Sequence, residues 1–463
     1  MASQQAQDIV EDLQQQQQST ADEPAEYLGA DEGIEVEEVY EDNDEPMDDE
    51  DQEDDDNADR HGEGHGDNDD DDDERDDADK LLDGGFDDSY AQATMHEGAV
   101  FTMELHPINP LLAVSGGEDD LAYLWRTDTG QQVAKLTGHS DSVTSVGFSK
   151  DGEFVATGGM DGRVRVWKHV KSTDNADPMQ QDWLSWEFVT NLEGPDEVNW
   201  IDWHPKGHVL LAGGADGTVW LWNLPTGNTM HVLSGHMAPV TCGRFTPDGK
   251  RIVTCSEDST LIYWDPRTGE AIHKLTAADA RFKLEAGINA VAINPQGTVA
   301  VVAGAEGGLR AVNLVQGTVL TQMEGHEEGA SIEAVAFSQV PTVGAASLTV
   351  LVSVGTDGRV CTWEATGFKL RSTGSHQDAV TSLSFAPGTT TFVTGSADKT
   401  LKVWDYRTGS CVKTLLGPRD VIHACSVSKD GQLVISGSED GMVRVFKPYQ
   451  DKPDPLAQDD DMA

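Results

Sequence analysis

From about residue 96 the chain is a succession of short runs in which apolar and polar residues alternate, separated by turns rich in Gly, Asp and Ser. The stretch from Gly138 shows the pattern whole. Gly138-His139 opens it, SVTSVGF (142–148) and FVATGG (154–159) flank the turn Lys150-Asp151-Gly152, and after Asp161-Gly162 the run RVRVW (163–167) alternates strictly. Period-two alternation with β-branched and aromatic residues, bounded by turn residues, predicts strands. The same order of signals returns about every 42–50 residues, which predicts one four-stranded sheet repeated along the chain.

Fixed spacings test this register. Counting back from the aromatic that ends the third strand, Ser or Thr is expected ten residues earlier, Asp six earlier and His about 28 earlier. Ser115, Asp119, Trp125 with His96 fit, as do Thr157, Asp161, Trp167 with His139; Thr254, Asp258, Trp264 with His236; and Thr394, Asp398, Trp404 with His376. Ser353, Asp357, Trp363 with His326 fit once an insertion near 339–348 is allowed. Three further units are degenerate. One has Asp216 and Trp222 without the His, one has Ser436, Asp440 and Phe446 with Pro418 at the His position, and in the fifth Gly307 and Asn313 stand for Asp and Trp. That makes eight units.

Charge divides the chain differently. The 463 residues carry 83 Asp+Glu against 31 Lys+Arg, a net of −52, and residues 1–95 hold 38 of those acids with only Arg60, Arg75 and Lys80. Such a segment buries too little apolar surface to offset its ordering entropy, so residues 1–84 are expected to form a disordered acidic leader, and 449–463 a short acidic tail. His61 and His65 in HGEGH are two imidazoles among solvated carboxylates, and no metal site is expected there. The five cysteines, Cys242, Cys255, Cys361, Cys411 and Cys425, are odd in number and contain no CxxC pair, which argues for reduced core thiols rather than disulfides or zinc. No apolar run approaches the ~20 residues of a membrane span, and the first residues lack the pattern of a secretory signal. An acidic surface repels phosphate backbones and anionic lipid; neither nucleic acid nor membrane is an expected direct partner, and a basic protein is.

The repeating Gly-His, Ser/Thr, Asp and Trp resemble the WD40 family, in which each repeat is one propeller blade. The acidic leader, the eight units and the segment GGEDDLAYLW (116–125) resemble, within it, the angio-associated migratory cell protein family and its fungal counterpart, a WD-repeat chaperone of a large-subunit ribosomal protein. The resemblance spans residues 85–448 and implies an all-β, eight-bladed WD40 β-propeller with a disordered acidic N-terminal leader. Because the last unit ends at RVFKPYQ with no fourth strand, residues of about 87–94 are expected to supply it and latch the ring, since an open ring would expose two sheet edges.

His, Asp and Ser/Thr recurring together suggest a hydrolase, but a catalytic triad occurs once, at an accessible nucleophile, and this set occurs five times at one internal position. The resemblance implies a buried structural tetrad, stable because every polar member has a partner. With no P-loop, HExxH or GxSxG motif, neither catalytic residues nor a cofactor are expected.

Function then falls to a surface. By resemblance, the contact positions around the channel are the residue before the structural Asp and those flanking the first apolar residue of the inner strand. They include Glu118, Met160, Glu257, Glu306 and Glu439, then Glu197, Glu333, Phe101 and His423, with Asp378 and Asp420 in nearby loops. Carboxylates at four of the eight pre-Asp positions suit an extended, Arg-rich peptide, bound bidentately by its guanidinium groups. The implied client is a basic ribosomal protein of the uL16 type, held by its Arg-rich N-terminus and delivered to the pre-60S particle, with a monomeric chaperone acting in the cytoplasm and also in the nucleus. The alternative is an interaction scaffold: a histone-tail reader, a ubiquitin-ligase adaptor or a signalling and migration adaptor.

Overall fold

The computed structural model describes residues 86–171, 183–284, 286–338 and 349–450. The leader with His61 and His65, the insertion at 339–348 and the tail beyond 450 lie outside the described residues.

The described residues form eight four-stranded antiparallel sheets. Their inner strands are Val100–Leu105, Val143–Phe148, Val198–Trp203, Val240–Phe245, Ile288–Ile293, Ile332–Phe337, Val380–Phe385 and Ile422–Val427, which define blades one to eight. Each inner strand begins with Val or Ile, and all eight of these residues are fully buried. Burial follows position in the blade. Second strands such as Leu112–Gly117 and Phe154–Gly159 are buried at every residue because neighbouring blades cover both faces, whereas outer strands such as Ala271–Leu275 are largely exposed. The inner strands pack side by side around a channel, and Val100–Leu105 meets Ile422–Val427 to close the ring.

Closure takes residues from both ends of the propeller. Ala91–Ala93 pairs with Val443–Phe446 in the register Ala91↔Val445, Gln92↔Arg444 and Ala93↔Val443, supplying the outer strand of blade eight. Just before it, the Asp88 N–H donates to Leu416 O and Asp88 Oδ2 accepts from the Leu416 N–H, both within 2.9 Å, tying the latch to the end of blade seven.

Polar networks inside the blades join three strands. In blade two His139 Nδ1 lies 2.9 Å from Asp161 Oδ1 and Nε2 2.7 Å from Thr157 Oγ1. Blades one, six and seven repeat this with His96, His326 and His376. The indole N–H of Trp264, Trp363 and Trp404 donates to Thr254, Ser353 and Thr394 at 2.8–2.9 Å. Three sets depart from the expected tetrad; in blade two no bond joins the Trp167 indole to Thr157 among the described residues, and the chain stops at Thr157. In blade one the Trp125 indole N–H has no partner, so the chain stops at Ser115. In blade four His236 Nδ1 bonds Thr260 Oγ1 at 2.8 Å while Asp258 stands 3.6 Å away; the Thr260 hydroxyl relays the contact to Asp258 at 2.6 Å.

The degenerate blades are repaired locally. In blade eight, where Pro418 replaces His, Arg444 takes the slot: it is 1% exposed, meets Asp440 Oδ2 at 2.8 Å and donates to Ser438 Oγ at 3.1 Å. In blade three Asp216 turns onto its own loop and accepts from Thr218.

Candidate functional site

One hydrogen bond occurs in all eight blades and orders the face of interest. The N–H that follows the second strand donates to the carbonyl just before the inner strand: Glu118 to Ala99, Met160 to Ser142, Ala215 to Glu197 and Glu257 to Pro239. The other four are Ala305 to Gly287, Thr356 to Ser331, Ala397 to Ala379 and Glu439 to Val421. Inner strands meet their neighbours at matching positions, since the hydroxyls of Thr144, Thr241 and Thr381 donate to the carbonyls of Val198, Ile288 and Ile422. The eight strand starts therefore lie on one face of the ring.

The blade-five bond corrects the sequence register. Ala305, not Glu306, occupies the pre-Asp position, and Glu306 stands where the structural Asp stands elsewhere. Strand pairing agrees: Ala300 faces Val312 as Ile252 faces Trp264, so Val312 rather than Asn313 matches Trp. Gly307, at φ +76°, takes the left-handed turn position that follows Asp in other blades, as Gly162 and Gly358 do. Glu therefore occupies three pre-Asp positions, Glu118, Glu257 and Glu439, rather than four.

A second device aims side chains outward. Every inner strand has a register shift between its first and third residues, leaving the second unpaired. A bulge of this kind redirects a side chain at the strand end. The residues so placed include Phe101, Asn199, Asn289, Glu333 and His423. Glu333 borders the central channel. Phe101 and His423 meet edge to face, with centroids 5.7 Å apart, and His423 Nε2 lies 2.5 Å from Glu439 Oε2, so three of the expected residues form one cluster across the closing seam. Glu118 Oε2 accepts from the Ala99 N–H at 3.2 Å. Glu197, Glu257, Glu306, Glu333 and Met160 are exposed without joining this cluster. Asp378 and Asp420 accept from the N–H of Ala379 and Val421, which fixes their loops.

Other members of the face escaped the sequence reading. Residues that follow the tetrad His donate their N–H to the tetrad Asp, among them Glu97, Met237 and Gln377; Arg419 does so after Pro418. Met237 is 90% exposed, the most accessible large apolar side chain described. Arg419 places a cation on the face, and Arg359 pairs with Glu327, the residue after the blade-six His, at 2.6 Å, so that this carboxylate is matched within the protein. Position relative to the repeated spacing of the His would have located Met237 and Arg419; the Arg359 pairing had no sequence signal.

Deeper in the channel, the fifth inner-strand residue carries charge in three blades. Glu104 Oε2 accepts from the Phe148 N–H at 2.7 Å, and Asp202 accepts from the Phe245 N–H at 2.9 Å while pairing with Arg244 at 3.1 Å. Burial raises the Glu104 carboxyl above its ordinary value, opposed by the nearby charge of Lys150. These charges are matched within the protein. At the opposite end, Asp151, Glu153 and His208 converge, with Lys171 bound to Glu153 and His208 Nε2 at 2.6 Å from Asp151.

Comparison with known proteins fits this architecture. The WD domain, G-beta repeat model matches residues 130–168, 186–223, 227–265, 367–405 and 409–447. The human (Homo sapiens) angio-associated migratory cell protein is 33% identical over 371 residues, covering 78% of this chain and 80% of that protein. The chain belongs to the angio-associated migratory cell protein family of WD-repeat proteins. Within this family's reach lies ribosome assembly protein SQT1 of Saccharomyces cerevisiae, 28% identical over 386 residues, covering 76% of this chain and 85% of that one. Among solved structures, Chaetomium thermophilum Sqt1 bound to the N-terminus of the ribosomal protein L10 superposes with a TM-score of 0.71 at 26% identity, covering 78% of this chain and all of that one.

Proposed function

We propose that this family member is a non-enzymatic chaperone whose carboxylate-bearing face holds the basic, Arg-rich N-terminus of a uL16-type ribosomal protein in the cytoplasm and passes it to the pre-60S particle. The observation that carries this reading is the similarity to an Sqt1 structure holding the N-terminus of ribosomal protein L10. Chemistry supports it. Glu333 borders the channel, and Glu118, Glu257 and Glu439 follow second strands tied to the starts of inner strands, so carboxylates from four blades are available to a basic peptide.

Exposed ion pairs contribute only ~0.2–1 kcal/mol each, whereas nanomolar binding requires about 12 kcal/mol. Affinity therefore rests on a few arginines desolvated near the centre, with stems against Phe101 and Met237, while outlying carboxylates speed encounter and exclude acidic partners. Titrating the full chain with an Arg-rich client N-terminal peptide at two salt concentrations tests this. Tight binding that weakens with salt is expected, and salt-independent or absent binding rejects it. Recovery of ligase subunits or nucleosomes instead of one stoichiometric ribosomal protein from gently lysed cells would favour the scaffold.

A further inference from the structure

Blade five has lost every member of the tetrad. Leu284 lies four residues before the inner strand, as His does in blades one, two, four and seven; Val302 replaces Ser/Thr, Glu306 replaces Asp and Val312 replaces Trp. Leu284, Val302 and Val312 pack into one buried apolar cluster. Beside it a cavity of about 290 Å³ opens, bounded by Leu284, Gly287, Gly304, Glu306, Gly308 and Arg310. A Cβ on Gly308 would meet Leu284 Cδ2 at 2.8 Å and Arg310 Nη1 at 3.3 Å, so a side chain there would intrude on the cavity and its guanidinium.

Arg310 follows Glu306 by four residues, as Arg444 follows Asp440. In blade eight that spacing yields a closed pair at 2.8 Å. In blade five no ion pair joins Glu306 to Arg310 among the described residues. Arg310 instead donates Nη1 to Leu309 O at 2.9 Å and Nη2 to Lys283 O at 3.0 Å, and its buried Nε has no partner. Two of five donors are thus used, both on neutral carbonyls, and burial lowers the guanidinium from its ordinary value. Among the described residues no carboxylate bonds this half-buried guanidinium, unlike its counterpart in blade eight, and a planar fork beside open space is suited to receive one.

We propose that the cavity beside the lost tetrad of blade five is a carboxylate-binding pocket, with Arg310 as its anchor, opening on the same face as Glu118, Glu257 and Glu439. It would set the register of a bound peptide by accepting one acid amid many bases. The pocket does not depend on the client being a ribosomal protein, because small carboxylates probe it directly.

The test uses the full chain and two probes, N-acetyl-aspartate α-amide for a side-chain carboxylate and N-acetylglycine for a chain terminus, followed by saturation-transfer NMR. Millimolar binding of either supports the site, and the tighter probe identifies the source; no binding of either at tens of millimolar overturns it. Arg310→Gln should weaken binding by about tenfold. Should that variant fail to fold, Arg310→Lys, which keeps the charge and loses the fork, should still weaken it severalfold. Glu306→Gln removes a like charge beside the ligand and should tighten binding about threefold. Unchanged affinity in the Arg310 variant that folds, or no tightening in Glu306→Gln, refutes the assignment.

Discussion

Arg444 closes on Asp440 in the one blade where proline occupies the histidine position. Its guanidinium also donates to Ser438, so a residue from the third strand does what His does from the loop before the first. Removing it leaves a mostly buried carboxylate without its counter-ion. Breaking a buried pair from one side costs about 3–5 kcal/mol in well-buried cases. Arg444→Met is therefore expected to lower the melting temperature by roughly 5 °C or more, taking ~2 °C per kcal/mol as a lower bound for a large domain. Arg444→Lys should recover only part of this. A melting curve for Arg444→Met that overlays wild type would show the pair to be dispensable.

The buried histidines make acid the weak side of this fold. Burial holds His236 and His106 at about 4, and pushes His96, His139 and His376 down from 6.5. A histidine kept neutral in the folded chain takes up its proton first in the unfolded one. Its stabilisation is therefore full above 6.5 and lost as pH falls from 6.5 to the folded value, on the order of 3 kcal/mol for a group shifted to about 4. Asp398 acts in the same direction at lower pH. Despite burial, which raises it, the bond from His376 holds its carboxyl below 3.8, so its contribution disappears below that value. Denaturant midpoints should be flat from pH 8 to 7 and decline steadily from pH 6.5 to 4.5. A midpoint that rises over that acid range would contradict buried neutral imidazoles.

The latch is short but closes a ring. Besides the pairing with Val443–Phe446, its backbone crowds blade one: a Cβ on Gly130 would lie 2.6 Å from Gln92 O. Truncation to residue 95 exposes the edges of blade eight, so it should lower the melting temperature by roughly 5 °C or more, whereas truncation to residue 85 should change it by about 1 °C. Equal losses for the two truncations would exclude the latch.

Charge reversal separates the two faces. Glu257→Lys and Glu333→Lys should each weaken the Arg-rich peptide about tenfold or more at low salt, the effect narrowing as salt rises. Lys substitution at Glu153, beside Asp151 and His208 at the other end, should leave affinity within about twofold. Equal weakening by all three, measured by calorimetry, would mean that the effect is net charge rather than a defined face.

The strands, turns and five recurring His–Asp sets were legible because their partners lie at fixed distances within one repeat, and period-two alternation with Gly and Asp turns is a local signal. The carboxylates were legible as residue types on that frame. Degenerate blade five was not: without His, Asp or Trp as a ruler, a strand can be read one residue out of register with no local penalty. The Ala305–Gly287 bond, the Ala300–Val312 pairing and the turn at Gly307 put Glu306 at the Asp position. Arg444 filling a slot named for histidine, Arg359 capturing Glu327, and the cavity beside Arg310 likewise arise where separate strands bring side chains together. Spacing along the chain reports partners that recur; the replacement of an absent one is decided by whichever neighbour can reach the space it leaves.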